Sequence, residues 1–580
     1  MRSRRLPIVL LLIAQAVLLG WAAVLHSPIF DETPHLAAGV AKWRFGRFDL
    51  YLVNPPLPEM LAALPVLADG CQADWSRFSD RPLSRAEFAV GRDFAAANGS
   101  RTLRLVILAR LALIPLLLVG GWVCWRWGSD LFGPRAGTAA AALWVFSPTV
   151  LGNGALVTAD AAAASTGVLA GWLFWRWLRE PSSTSTFAAG VGLGLALLTK
   201  FTWLILVPLW PLLWIAFRLP ERQMLAAKEW GRQAGQLAVV MLLALYLIHA
   251  GYGFEKPFRP LGEFEFVSRN LSGDSADAPP RHGVTGNRFR GTWLESVPVP
   301  VPANYLVGID VQKVDFEQSR SVYLDGEQYS GGVWYWYLYA LPVKEPVALW
   351  LLLGVTVVVA PLPRGRDLLV LLAPAAGVIV LVSWNHSLCH YRYVLPALPF
   401  LFIAAGGAAA AISRQRRIVT AIVAASLLWY AGSSLAVAPH WLSYFNEVAG
   451  GPKNGWRHLS GSALDWGQGL IDLRHWLDEH PEAKPLRLAY TGNFDPHLAG
   501  IEFDLPPREP QPGWYAISAT FLADGTRLVG VDGVPQSVPE GSYAWFRNLE
   551  PVYRAADVLY VYHVSTEDAE RVRRMIAKTE

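Results

Sequence analysis

Apolar residues gather in long blocks along this chain, separated by polar stretches of very unequal length. The first block, Leu6 to Leu25, is long enough to span ~30 Å of hydrocarbon as a helix. Further blocks lie near 103–125, 136–152, 159–178, 186–199, 201–217, 234–250, 347–361, 367–384, 393–412 and 417–437, so the pattern predicts about eleven transmembrane helices. The blocks at 136–152 and 186–199 are short and rich in Gly and Ala, which suits helices packed against other helices through small residues. Between blocks, Thr33 to Phe45, a stretch opening at Pro58 and Arg85 to Asn98 have the spacing of amphipathic helices on a membrane surface. Beyond residue 437 the pattern changes. Helical spacing at 471–480 and 567–578 alternates with strand-like runs at 486–492, 513–520 and 557–564, which predicts a small α/β domain. Residues 251–322 show no period and are expected to form a long loop over the membrane face.

Composition agrees with a polytopic membrane protein. Of 580 residues 53% are apolar and 17% charged, and the 26 Trp and 41 Pro are unlike an ordinary soluble enzyme. The net charge of +4 reflects arginines facing one leaflet and implies no nucleic-acid partner. Cys71, Cys124 and Cys389 make neither a disulfide framework nor a zinc pattern.

Charge asymmetry sets the orientation. With the MRSRR start in the cytoplasm, Arg126, Arg135, Arg176, Arg179, Arg218, Arg222, Lys228, Arg232, Arg364, Arg366, Arg414, Arg416 and Arg417 all fall in cytoplasmic loops. The opposite short loops carry little basic charge apart from Lys200 and Arg392. Eleven crossings then put loops 26–102 and 251–346 and the tail 438–580 outside the cytoplasm. A basic start followed by an apolar core and Ala22-Ala23 also fits a cleaved secretory signal, but the run exceeds the usual signal core and cleavage would leave the acidic residues after it on a free end. Those residues are Asp31 and Glu32, a carboxylate pair at a membrane face, where desolvation is costly and charges usually mark a site.

The pair belongs to DETPHLAAG, which is followed by NPPLPEMLAALP. LVTADA (156–161), GLGLALLTKFT (192–202), YLDGEQYSGGVWYWYLYALPVKEP (323–346), HYRYVLPALPF (390–400) and HWLSYFNEVAGGPKNGWRHLSGSALDWGQ (440–468) come after it in order. Together these motifs resemble the GT-C glycosyltransferases that use a polyprenyl-phosphate sugar, the group of protein O-mannosyltransferases and lipid A aminoarabinose transferases. The resemblance implies a GT-C transmembrane catalytic domain over residues 1–437 with an extracytoplasmic α/β domain at 438–580, in the inner or plasma membrane. It also implies a hexosyl- or pentosyltransferase whose partners are a polyprenyl-phosphate sugar donor, membrane lipid, and an acceptor that is lipid, glycan or protein. No inserted β-trefoil is evident, which speaks against a protein acceptor, and no glycine-rich phosphate fingerprint supports a nucleotide-sugar donor.

Such a transfer needs a base for the acceptor proton, cations for the departing phosphate and a pocket for an oxocarbenium-like sugar. The motif match makes Asp31 the expected base, with Glu32 beside it in the catalytic pair to orient the acceptor or a neighbouring side chain; capping of the helix at Thr33 is the structural alternative. Asp160 and His35 are expected to contact acceptor or sugar, as are Trp334 and Tyr335 in an aromatic stretch with Gly331 and Gly332. The outer-boundary cations Arg392, Lys200 and Lys344 are the expected donor-phosphate ligands, against a plain snorkelling role. The resemblance leaves a divalent metal at Glu59 and His35 open, although one histidine and one carboxylate are few ligands; no other cofactor is implied. Two other classes compete: a transporter or flippase for a lipid-linked glycan, disfavoured by the lack of an internal repeat, and a non-catalytic scaffold, which leaves the acidic pair unexplained.

Overall fold

The computed structural model describes residues 6–577 apart from 81–83, 222–225, 274–284, 319 and 386. The MRSRR start, Arg222 and Lys578, which entered the expectations above, lie outside the described residues. Every predicted span falls on helical chain, although 136–152 is divided between two helices. In chain order the helices of the first half are α1 Leu6–Leu25, α2 Glu32–Phe45, α3 Leu57–Ala68, α4 Glu87–Asn98, α5 Arg101–Phe132, α6 Pro134–Val145, α7 Pro148–Gly154, α8 Ala159–Arg179, α9 Ser183–Leu197, α10 Leu206–Arg218 and α11 Ala227–Gly251. The second half of the membrane part adds α12 Arg269–Ser272, α13 Ala303–Glu317, α14 Trp336–Lys344, α15 Val347–Val359, α16 Gly365–Trp384, α17 Leu398–Gly406 and α18 Arg417–Leu435.

Among the described residues seven helical segments are long and apolar enough to cross a membrane, or up to nine if two bent pairs each count as one span. The first bent pair is α7 with α8, at 120°; the second is α14 with α15, at 101°. The difference from eleven has a simple cause. At 1.5 Å per residue, α6 with its 12 residues and α9 with its 15 reach only ~18 and ~22 Å. Both are buried among neighbours instead. The spans that border lipid show it in their side chains: Leu6, Val17, Leu242, Val358 and Leu428 are apolar and exposed.

The three surface helices of loop 26–102 form as expected and pack on one another. Gly39 of α2 lies where a β-carbon would come within 2.3 Å of the Glu59 carbonyl of α3, and one on Gly91 of α4 would come within 2.6 Å of the Pro34 nitrogen. Only glycine allows those approaches, and they hold α2 between α3 and α4. The stretch 251–322 is not all loop. It contains the 15-residue α13, whose Gly308 packs against Leu52.

After α18 the chain runs through short 3-10 turns before α19 Leu470–Glu479 and ends with α20 Thr566–Ile576, whose N-terminus is closed by a reciprocal Ser565–Asp568 capping box. The strands are β1 Val322–Leu324, β2 Glu327–Tyr329, β3 Leu486–Ala489, β4 Gly513–Ser518, β5 Arg527–Val529, β6 Pro535–Ser537, β7 Tyr553–Ala555 and β8 Leu559–Val564. The principal sheet has the order β3-β4-β8-β7, with β3 and β4 parallel and the other pairs antiparallel. Its Leu486, Leu488, Ala516 and Val561 share a core with Leu470 and Leu473 of α19. The architecture is thus a mostly helical membrane protein with a small sheet-containing C-terminal region.

Candidate active site

Asp31 stands at the N-cap of α2, and its side chain makes no capping hydrogen bond. It lines a cavity of about 530 Å³ bounded by the N-terminal ends of α2 and α8, by α13 and by residues 461–466. Two attachments fix it there. From the C-terminal region, Trp466 O accepts from the Phe30 N–H at 3.0 Å, Gln468 O from the Ser27 N–H at 3.2 Å, and the Ser27 hydroxyl donates to Gly467 O at 2.9 Å. From below, Glu32 forms a fully buried pair with Arg110 of α5, at 2.6 and 2.8 Å, and also accepts from the backbone N–H groups of Ile29 at 2.9 Å and Val157 at 2.8 Å. With its oxygens so engaged, Glu32 has no place on the cavity. The expectation of a catalytic or acceptor-orienting carboxylate at 32 is corrected to a clamp that ties the Asp31 turn to α5 and to the approach of α8.

Four expected residues meet in one row. The Arg392 guanidinium lies 3.5 Å from Asp31 on one side and 3.5 Å from Asp160 on the other, and Asp160 also pairs with Lys200. Asp160 is there because the chain breaks after α7 and restarts at Ala159, placing it in the first turn of α8. Arg392 is held from three directions: the Trp466 ring centroid lies 4.0 Å away, the Ser462 hydroxyl accepts from it at 2.5 Å, and His390 Nδ1 is 2.9 Å from that hydroxyl. Burial and the neighbouring Arg392 push His390 well below the usual imidazole range, which suits a neutral ring beside two cations. Lys200 sits 4.6 Å from the Tyr393 ring. At Lys200 and Tyr393 the cavity meets a second, apolar one of about 330 Å³, lined by Phe201, Leu204, Ile205, Ile309 and Val382.

His35 also reaches the cavity, with its ring 4.3 Å from that of Tyr51 and Nδ1 2.8 Å from Glu59. The other Glu59 oxygen is taken by Lys42, itself buried. A carboxylate already paired with an ammonium and a single imidazole do not fit a divalent ion, and no group of three or more His, Cys, Asp or Glu gathers around one among the described residues.

Three other expected residues lie elsewhere. Trp334 and Tyr335 are 63% and 40% exposed and touch each other at 5.7 Å, outside the cavity. The helix α14 begins at Trp336 and turns Trp336 and Tyr337 inward instead. Lys344 is buried, donating to Leu442 O at 3.1 Å and Ala463 O at 2.6 Å beneath the Phe445 ring, so it braces the segment that carries Ser462 and meets no phosphate site. The aromatic rings that do line the cavity are Phe30, Tyr51, Phe88, Tyr393 and Trp466. Trp466 and Ser462 had a signal in the matched tail motif, but their chemistry shows only once the tail is folded against α2.

Further cavity groups are Asp465, Arg85 and Arg92. Burial raises the Asp465 carboxyl to about 6, although Gly467 N–H and the Thr520 hydroxyl donate to it. Arg85 is occupied by Asp315, at 2.8 and 3.0 Å. Among the described residues, three buried polar atoms on the lining have no hydrogen-bond partner: Thr158 Oγ1, Thr491 Oγ1 and Arg92 Nε. Orphaned donors of this kind, around a polar cavity beside an apolar one, suit a ligand with a charged or hydroxyl-rich head and an apolar tail.

Residues 104–249, about a quarter of the chain, match the family model described as dolichyl-phosphate-mannose-protein mannosyltransferase. Among solved structures, ArnT from Cupriavidus metallidurans in the apo state is similar at 14% identity, with 95% of this chain and 97% of that chain covered and a TM-score of 0.42. The same protein bound to undecaprenyl phosphate gives 13% identity, 97% and 98% coverage and a TM-score of 0.40. The archaeal oligosaccharyltransferase AglB from Archaeoglobus fulgidus, in complex with an inhibitory peptide and a dolichol-phosphate, gives 9% identity, 92% and 74% coverage and a TM-score of 0.40. No curated protein matches the chain. The family match bears out the resemblance to the GT-C superfamily read from the sequence, and with it glycosyl transfer as the general activity.

Proposed function

We propose that this GT-C glycosyltransferase moves a hexosyl or pentosyl group from a polyprenyl phosphate to a hydroxyl or amine of an extracytoplasmic acceptor, with Asp31 as the base. The observation that carries the reading is the row Asp31, Arg392, Asp160, Lys200 at the point where a polar cavity meets an apolar one. The matched family model is described by a lipid-phosphate sugar donor, which is the class of ligand such a junction suits. In this proposal the prenyl chain follows the apolar cavity past Phe201 and Ile205, and its phosphate comes to Lys200 and Arg392. A phosphate there competes with the carboxylates for Arg392 and leaves Asp31 free to take the acceptor proton.

The step balances as a displacement. The acceptor oxygen or nitrogen forms a bond to the anomeric carbon while the bond from that carbon to the phosphate oxygen breaks. The proton goes to Asp31, and the bonding electrons leave with the polyprenyl phosphate, whose added negative charge Lys200 and Arg392 stabilise by charge-assisted hydrogen bonds. Proton transfer of this kind contributes ~10² to 10⁴ in rate. Asp160 is the group that holds the two cations together, and His35, Tyr51 and Trp466 border the sugar.

The loop charges support an N-terminus in the cytoplasm and a site on the far face of the cell membrane, with residues 1–437 as the catalytic domain and 438–580 as a domain that completes it through Ser462, Asp465 and Trp466. The test is reconstitution of the purified protein in bilayers with polyprenyl phosphates carrying labelled sugars and an envelope extract. Labelled product that forms with the parent protein and not with Asp31→Asn supports the reading. Movement of intact labelled lipid between leaflets without transfer would replace it with the flippase.

A further inference from the structure

A third cavity, of about 380 Å³, adjoins the main one and shares no lining residue with the apolar groove. With the main cavity it shares Arg320, His390, Gly461, Thr491 and Arg527. Its walls come from β1, the start of α14 and the C-terminal region, and they are unlike those of the groove. Ser321 and Thr526 offer hydroxyl groups and Asp524 a carboxylate, one oxygen of which already accepts from the Ser460 hydroxyl, while Tyr323 and Trp336 offer ring surface. Hydroxyls, one acid and aromatic faces in a single chamber match the mixed polar and C–H surface of a carbohydrate.

The junction between the chambers is cationic. Arg527, at the start of β5, is exposed and has no ion pair among those of the described residues. Arg320 has its side chain 48% exposed; it donates to the neutral Gln318 side-chain oxygen at 2.6 and 3.2 Å, and its one approach to a carboxylate is 3.6 Å from Asp315, which is already held by Arg85. Arg92 extends the group from α4: its Nη1 donates to Asn493 at 2.8 Å, while its Nε is buried without a partner. Burial and the like charges of Arg77 and Arg527 push Arg92 below the usual guanidinium range, against the pull of Asp93. Thr491 Oγ1, also unpartnered, lies on both cavities. Three cations meet here, and the nearest carboxylates are engaged elsewhere, Asp315 by Arg85 and Asp93 by Arg77; such a surplus of positive charge with open donors suits an anion.

We propose that this third chamber is the acceptor subsite, that its ligand is a glycan bearing anionic groups, carboxylate or phosphate, and that Arg527, Arg320 and Arg92 hold one such group while a neighbouring hydroxyl is presented toward Asp31. The inference rests on the transfer reading above, which it deepens by giving donor and acceptor separate entrances: an apolar one between residues 201–205, α13 and α16 for the lipid, and a polar one beneath the C-terminal region for the glycan. An acceptor arriving that way comes from the aqueous side.

The test is binding of two soluble probes to the full-length protein in detergent, by calorimetry: an oligogalacturonate for the carboxylate and a phosphorylated mannan oligosaccharide for the phosphate, with neutral maltoheptaose as the control. At least one anionic probe should bind, at least tenfold more tightly than maltoheptaose and less tightly as salt is raised. Arg527→Ala and Arg320→Ala, both at exposed positions that the fold does not need, should each weaken that probe about tenfold, and Asp31→Asn should leave its binding within about twofold. Failure of both anionic probes to bind, equal binding of maltoheptaose, or unchanged binding in both arginine variants would overturn the proposal. So would displacement of the probe by vesicles of anionic phospholipid, which would assign the arginines to a lipid headgroup. Because binding is read without the donor, an intact result in a protein that transfers nothing counts against the transfer reading and leaves the anion site standing.

Discussion

Arg392 lies over the face of Trp466, its guanidinium carbon 4.0 Å from the centre of the indole ring. A guanidinium stacked this way keeps its edge free for in-plane hydrogen bonds, and the edge is where Ser462, Asp31 and Asp160 gather. A lysine would keep the charge and lose both the stack and the two-pronged edge.

Arg392→Lys is therefore expected to lower kcat/KM about 10- to 100-fold, the range for losing a hydrogen bond to a charged group, with topology intact. Arg392→Ala should fall further. Both should weaken binding of polyprenyl phosphate lacking its sugar, measured by displacement of a fluorescent lipid. Parent-like affinity in both variants would leave Arg392 as an interfacial anchor and move attention to Lys200.

The adjacent carboxylates 31 and 32 should separate cleanly. Asp31→Asn removes a proton acceptor from an open cavity and should cost at least ~10²-fold in transfer while the melting temperature stays near that of the parent. Glu32→Gln strands Arg110 in the interior, and breaking a buried pair costs about 3 to 5 kcal/mol. Poor expression and a lowered melting temperature should mark position 32. A stable Glu32→Gln protein would remove the clamp from the account.

Asp465 predicts a pH effect on stability. Its carboxyl is raised by burial to about 6 from an ordinary 3.8, so the folded state holds the proton more tightly than the unfolded chain. Its contribution is fully present below pH ~4 and is lost as pH rises through about 6, a difference of at most about 3 kcal/mol. Asp465→Asn should remove that decline, so the variant gains melting temperature over the parent at pH 7.5 and not at pH 4. Parallel curves for the two proteins across that window would contradict the assignment.

Topology follows from the charge bias of the loops. A reporter fused after Arg417 should read cytoplasmic and one fused after His440 extracytoplasmic, with α18 crossing between them. A cytoplasmic signal from the second fusion would reverse the face on which the cavity opens.

Periodicity made the helices legible, and five of the cavity residues were legible too, because apolar length, a stray cation at an outer boundary and a short motif are local properties of the sequence. Lys200 and Arg392 carried the stray charge, while Asp31, His35 and Asp160 lay in the matched motifs. What escaped depends on pairing across the chain. Glu32 looked like its neighbour until Arg110, on another helix, claimed it. Lys344 looked like Lys200 until two carbonyls of the tail accepted its hydrogen bonds. The aromatic stretch was visible, but the start of α14 decides which rings turn inward, and it turns Trp336 in and leaves Trp334 out. Two of the eleven spans proved too short alone because small residues let them nest inside the bundle, which apolar length alone does not reveal.

The turn before Asp31 is tied to Gly467 by a bond that joins residues 440 positions apart. Asp31 thus leaves the ribosome among the first residues made, yet the backbone that seats it is among the last quarter. Until the segment around Trp466 has folded back, the row of charges lacks its stacking partner and its frame. Under the proposed function a nascent chain is therefore expected to be inactive. A chain cut after α18 should insert normally, keep Asp31, Asp160, Lys200 and Arg392, and transfer nothing.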